Sequence, residues 1–157
     1  MEAQIELHLL SDRLKIMSVE KDAIHKLSYP INKIAFTRKT DCKYFSFNET
    51  NDDYTIITDN MGLKELEPFI DTSCMELMES IWIPMILCGE DLSDAMSITK
   101  ISKYVILPLA DAKISILAIS MYQSDYILVI YKCLTKFYFI STYIAEYFLF
   151  IDPRKGL

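Results

Sequence analysis

Glycine is scarce in this 157-residue chain, which has only Gly62, Gly89 and Gly156. A P-loop or a G-x-G-x-x-G turn needs several glycines in one short loop, so neither phosphate cradle is present. Dense basic runs are missing too. Sixteen Lys and Arg face 22 Asp and Glu, a formal net charge of -6, and Lys33, Arg38, Lys39 and Lys43 come nearest to a cluster. Nucleic acid is held by clustered positive charge, so it is not an expected partner. The two histidines, His8 and His25, stand apart, with no acid or thiol at a recognisable spacing. Each reads as a core or surface residue rather than a base. Cys42, Cys74, Cys88 and Cys133 form no C-x-x-C. The start, MEAQIELHLL, lacks the basic and long apolar regions of a signal peptide. Reduced, mostly buried thiols and a cytosolic location are the expectation.

These absences leave no constellation for hydrolase or transferase chemistry. No catalytic residue, no cofactor and no metal are expected. Glu49, Asp52 and Asp53 gather at a turn but lack EF-hand spacing. Asn48-Glu49-Thr50 has the form of a glycosylation triplet, which a cytosolic chain would not present to the modifying enzyme.

What is plentiful is core material. At 52% hydrophobic, the chain can fill one ordinary domain or two small ones. A repeat favours two. The stretch SITKISKYVILPLADAKISILAISMYQSDYILV has a looser counterpart in INKIAFTRKTDCKYFSFNETNDDYTIIT. Laying Asp125-Tyr126 on Asp53-Tyr54, an offset of 72 residues (125 − 53), puts Phe45, Phe47, Ile56 and Ile57 on Leu117, Ile119, Leu128 and Val129. A unit of that length is the size of a small domain, too long for a solenoid repeat.

The periodicities assign the elements. Ile5 to Val19 alternates as two strand segments about a Ser11-Asp12 turn. Lys21 to Thr37 has helical spacing, with Pro30 as a break or kink. Tyr44 to Asn48 and Tyr54 to Asp59 form a hairpin, Gly62 to Pro68 a short helix, and Phe69 to Glu79 an ill-defined connection. The second unit opens with Ile81 to Cys88, a nearly continuous apolar run typical of a buried strand. Pro84 pulls that strand towards an edge or bulge. A helix with Ile98, Ile101, Val105 and Leu109 on one face ends near Ala112. Ile114 to Met121 and Tyr126 to Val129 make a hairpin, followed by an apolar segment long enough for a helix and a last strand. The pattern predicts an α+β chain of two tandem ferredoxin-like βαββαβ domains, residues 5–79 and 80–151, with a tail at 152–157.

The segments IELHLL with RLKIMSV, CKYFSFNETNDDYTIITD, GLKEL, SITKIS, VILPLADAKISIL and YQSDYILV carry a resemblance. Tandem βαββαβ units of this size resemble ACT domains, small-molecule sensors that usually bind amino acids. Across Ile5 to Val129 the chain is similar to the N-terminal half of the CASTOR, or GATS-like, cytosolic arginine sensors. The resemblance implies two of the family's four ACT units. It implies a regulatory role in which the unliganded sensor binds and inhibits the GATOR complex, which activates TOR kinase signalling, and arginine releases it. In the family the second and fourth units form the arginine pocket, so a chain with the first two is expected to bind arginine weakly or not at all.

The resemblance also marks residues. Ser115 and Ile116, at the start of a hairpin strand, correspond to one side of the arginine pocket. Backbone groups there suit a ligand's α-amino and α-carboxylate groups. The guanidinium needs bidentate carboxylates, which the family takes from its fourth unit. Glu90 and Asp91 read as a solvated turn. Tyr122, Gln123 and Asp125, in YQSDY, match the surface that contacts the GATOR complex. L-Arginine would then bind only in a pocket completed by another chain, and a homo-oligomer or a heterodimer with a full-length sensor is implied. Residues 130–157 depart from the family: a helix and strand whose aromatic face meets a partner, or a different gene end, both remain open. A membrane span does not fit, because Lys132, Lys136 and Glu146 interrupt the roughly 20 apolar residues it needs. Two other readings stay beside the sensor: an ACT regulatory subunit that binds another amino acid and controls a metabolic enzyme, and an inert truncated product.

Overall fold

The computed structural model describes residues 6–37, 39–88, 99, 101–120, 125–144 and 149–151. The chain divides into two compact units: Arg13–Ile81, and Met1–Asp12 with Trp82–Leu157. The first is inserted in sequence between two strands of the second.

The inserted unit contains β2 (Leu14–Glu20), a 3-10 segment (Lys21–Leu27), α1 (Ser28–Ala35), β3 (Phe45–Glu49), β4 (Asp53–Asp59), α2 (Asn60–Leu66) and β5 (Met75–Leu77). Its strand order is β3-β4-β2-β5, antiparallel throughout. That is the ferredoxin-like arrangement of one βαββαβ unit. Met17, Val19 and Ile56 of the sheet pack with Leu27, Ile34 and Leu66 of the helical layer. Each such side chain, wholly buried, stabilises by roughly 1.5–3 kcal/mol. Pro30 lies in the first turn of α1, where the missing N–H has no helical acceptor to lose. The proline therefore starts the α-helix instead of kinking a longer one. β5 falls inside the stretch read as an ill-defined connection. Its three residues pair with Met17, Ser18 and Val19, too short a run to show alternation.

The flanking unit contains β1 (Glu6–Leu9), β6 (Trp82–Cys88), a π-helical turn (Ser102–Ile106) running into α3 (Leu107–Asp111), β7 (Ile116–Ser120), β8 (Asp125–Ile130), α4 (Leu134–Ile144) and β9 (Leu149–Ile151). Its order is β7-β8-β6-β1-β9, with β1 antiparallel to β6 and parallel to β9. The two-domain α+β architecture stands, but the expected 5–79 boundary needs correction. β1 belongs to the flanking unit, beside β6, where the inserted unit has β5 beside β2. Leu7 and Leu9 are wholly buried there with Ile83 and Met85.

β6 is an interior strand of this sheet, with β8 on one side and β1 on the other, despite Pro84. Pro84 O accepts the Leu10 N–H at 2.9 Å. The N and O of one strand residue face the same neighbour, so the missing donor falls just beyond the end of β1 and takes no bond from β8. Pro108 is accommodated too. The preceding turn winds as a π-helix, closed by the Leu107 N–H on Ser102 O. Ile101, Val105 and Leu109 still reach the core from this segment.

The repeat is real but its register differs by one residue. Glu49 pairs with Tyr54, and Ser120 with Asp125, each pair closing a four-residue loop. Tyr54, not Asp53, therefore corresponds to Asp125. Ile56 then corresponds to Ile127, and both lie in their units' cores. The offset of 72 had laid Ile56 on Leu128, which points to the other face of its sheet. A one-residue slip exchanges every in-facing and out-facing side chain.

Candidate ligand and partner sites

The β7–β8 hairpin was expected to carry both sites, and α3 sets where it starts. The helix ends in a Schellman turn: Ile114 N–H bonds Leu109 O at 3.0 Å, and Lys113 N–H bonds Ala110 O at 2.9 Å. The left-handed residue of that turn is Lys113, at φ 56°, where glycine is usual. A side chain there costs on the order of 1 kcal/mol. Ile114 drops into the core, and the chain enters β7 with Ser115 exposed. The Ile116 side chain packs against the core of the flanking unit. Of the two expected pocket residues, Ser115 thus offers its hydroxyl to the surface, while Ile116 has only backbone groups for a ligand.

At the far end of the hairpin, Asp125 opens β8 opposite Ser120 and is half-buried. Tyr122 and Gln123, the other expected partner contacts, lie outside the described residues, as do Glu90 and Asp91.

The residue missed from sequence is Asp59. It ends β4 and caps α2, is 6% exposed, and gathers four backbone donors. Oδ1 accepts from Met61 N–H at 3.0 Å and Gly62 N–H at 2.9 Å. Oδ2 accepts from Lys43 N–H at 2.6 Å and Tyr44 N–H at 3.2 Å. Burial works to raise its pKa, but the donors from Gly62, Lys43 and Tyr44, with the Cys42 thiol, hold it below the usual carboxylate value. The available signal was an Asp immediately before a helical pattern. Gly62 fits under this hub because it has no side chain: a Cβ would lie 2.0 Å from Thr58 Oγ1 and 2.8 Å from Cys42 Sγ. The Cys42 thiol is pushed up by burial and by the Asp59 charge, against a pull from Thr58. It stays protonated at neutral pH and is a weak nucleophile.

The acidic turn is occupied by internal contacts. Glu49 accepts from Lys21 Nζ and Tyr54 OH, and Asp53 from Thr50 and Ser18 hydroxyls. These bonds lower both carboxylate pKa values. Among the described residues no group of three His, Cys, Asp or Glu could hold a metal ion. Among the described residues, open cavities lie near the end of α1 in the inserted unit and near the end of α3 in the flanking unit. That of the inserted unit, about 400 Å³, is lined by Ile34, Ala35, Thr40, Cys42, Lys43 and Phe45. That of the flanking unit, about 430 Å³, is lined by Ala112, Thr135, Lys136, Phe139 and Ile140. No helix among the described residues is long and apolar enough to cross a membrane.

Known proteins divide the chain in a similar way. Residues 13–69 match the family of the N-terminal domain of cytosolic arginine sensor for mTORC1 subunit 1, beginning where the inserted unit begins. Residues 78–136 match the ACT domain family. The human protein named cytosolic arginine sensor for mTORC1 subunit 1 is 36% identical over 128 residues, 80% of this chain and 38% of the relative. The chain thus spans well under half the length of such relatives. A human protein named putative protein CASTOR3P is 42% identical over 103 residues, 62% of this chain and 61% of that one. A protein from Agrobacterium tumefaciens shares the fold at TM-score 0.65 and 18% identity, covering 95% of this chain and 93% of its own. The regulatory subunit of aspartate kinase from Thermus thermophilus does so at TM-score 0.56 and 9% identity, covering 92% of this chain and 97% of its own.

Proposed function

We propose that this chain is a non-enzymatic, cytosolic regulator of the CASTOR type, because residues 13–69 match the arginine-sensor N-terminal-domain family and residues 78–136 match the ACT family. The observation that carries the reading is the sensor-specific match on the inserted unit, in a chain 36% identical to a named arginine sensor over 128 residues. General ACT likeness would leave the ligand and the partner open.

In this reading the β7–β8 hairpin is the working part. Tyr122, Gln123 and Asp125 at its tip contact the GATOR complex, and TOR kinase signalling is held down while they do. A Tyr beside hydrogen-bonding groups suits an interface anchor. At the other end, Ser115 and the backbone of Ile116 form one side of an arginine site. The exposure of Ser115 supports this, and the packing of the Ile116 side chain on the core leaves that residue main-chain contacts. The carboxylates for the guanidinium come from another chain, a second copy or a longer sensor. The word "cytosolic" in the relatives' names supports the location.

Affinity capture of the tagged full chain from its own cells, with and without free arginine, tests this. Wild type is expected to retain GATOR components, and a Tyr122→Ala/Gln123→Ala/Asp125→Ala variant to lose them. Release by arginine supports a completed pocket. Soluble wild type that retains no GATOR component in either condition overturns the reading.

A further inference from the structure

Lys26, in the 3-10 segment, and Cys74, just before β5, are 48 residues apart in sequence and meet in the inserted unit. Lys26 Nζ is 3.5 Å from the Cys74 sulfur and 2.6 Å from Asp71 Oδ2. The arrangement is held from several sides. Asp71 Oδ1 accepts from the Ser73 N–H at 3.1 Å and the Ser73 hydroxyl at 2.6 Å. Cys74 N–H bonds Asp71 O at 3.1 Å, and Cys74 O accepts the Glu20 N–H at 3.0 Å. Of the free cysteines Cys42, Cys74 and Cys133, Cys74 is the one whose sulfur meets an amine. The Cys42 sulfur has Tyr44 O and the Thr58 hydroxyl instead. The Lys26 side chain is 40% exposed and Cys74 is half-buried, so the pair lies at the unit's surface and not in its sealed core.

We infer that Lys26 and Cys74 form a reversible oxidative cross-link, a sulfenamide, when the protein meets hydrogen peroxide. The Cys74 sulfur attacks the peroxide O–O bond, becomes a sulfenic acid and releases one water. A sulfenic acid condenses with a nitrogen held against it. The Lys26 nitrogen then bonds the sulfur, the S–O bond breaks, and hydroxide leaves with an amine proton as a second water. The sulfur is oxidised by two electrons, the peroxide is reduced to water, and the chain loses two hydrogens. Fixing both atoms in place makes the second step intramolecular and so favours it over further oxidation. The Asp71 hydrogen bond holds the Lys26 ammonium above the usual lysine range. The amine must lose a proton before it attacks, so cross-linking quickens as pH rises. The new bond ties the start of the helical layer to the edge strand β5, and closing so long a stretch of chain stabilises the folded unit. This device depends on neither the hairpin nor the sensor reading.

The full chain, reduced and then treated with hydrogen peroxide at pH 7 and pH 9, is blocked with iodoacetamide, digested without reductant and mapped by mass spectrometry. A peptide joining residues 26 and 74, lighter by two hydrogens than its parts and split by dithiothreitol, is expected, with more of it at pH 9. Lys26→Arg and Cys74→Ser should each abolish it. Asp71→Asn should raise its yield at pH 7, where a merely structural Asp71 would leave it unchanged or lower. In urea, the cross-linked chain should show a higher midpoint than the reduced one, read from β2 and β5 amides. Cys74 recovered at both pH values as a sulfinic acid, in a disulfide or as the free thiol, with no joined peptide, overturns the assignment.

Discussion

The two units join their hairpins to the following helices by opposite chemistry. In the inserted unit, β4 ends on Asp59, whose buried carboxylate holds the start of α2 and the 43–44 segment together through four N–H bonds. In the flanking unit the corresponding residue is Ile130. There the chain enters a 3-10 turn, Tyr131–Cys133, with no side-chain cap, and Leu134 and Phe137 anchor α4 by burial. One junction is polar and directional, the other apolar. The shared βαββ arrangement thus tolerates either device, and the two units should fail under different conditions.

The largest difference should follow from removing β1's contribution. Leu7→Ala and Leu9→Ala each empty a wholly buried site in the flanking core, at about 3 kcal/mol apiece. Hydrogen exchange should show amides of β6 and β8 losing protection in the double variant while β2 and β4 keep theirs. Equal loss in both units would mean that they unfold together.

Asp59→Ala should reverse the pattern. It leaves the buried Gly62 N–H and three part-buried N–H groups without their acceptor and removes a cap, for about 3 kcal/mol in the inserted unit. Acid acts on the same point. The folded pKa of Asp59 is depressed, so its contribution is complete above the unfolded value near 4. It fades as pH falls through the lower folded value. Urea titrations from pH 7 to pH 2.5 should show the inserted unit weakening first, and Asp59→Asn should flatten that dependence. Gly62→Ala tests the packing beneath the hub. Its methyl group meets Thr58 Oγ1, and overpacking of about 2 kcal/mol is expected from thermal melts.

The smallest effect runs the other way. Lys113→Gly relieves the left-handed residue that ends α3 and should stabilise the flanking unit by about 1 kcal/mol. A shift upward in urea midpoint confined to β6–β8 amides would confirm the strain. No gain would show that the turn is already relaxed.

Much of the fold was legible. The β3–β4 and β7–β8 hairpins, the buried strand β6 and the helix around Ile101, Val105 and Leu109 follow from spacing. Three features were not. Pro84 argued for an edge because spacing does not show which side of a strand a missing N–H will face. β5 is too short to alternate. Asp59 looks like any Asp before a helix until the 43–44 segment arrives from across the fold. Of the candidate site residues, Ser115 is exposed where the chain enters β7. The inward turn of Ile116 became visible only once register was known.

The chain's own order of apolar and polar residues determined the element types and the doubling of the βαββ pattern. Alternation and helical periodicity are local properties, written in consecutive residues. Tertiary structure decided which sheet β1 joins, which of the buried pair Ile56 and Ile57 enters the inserted unit's core cluster, and what Asp59 binds. Ile56-Ile57 and Ile127-Leu128-Val129 are consecutive apolar residues, so either register buries something apolar. Only the facing strands and helices make one of them cheaper than the other.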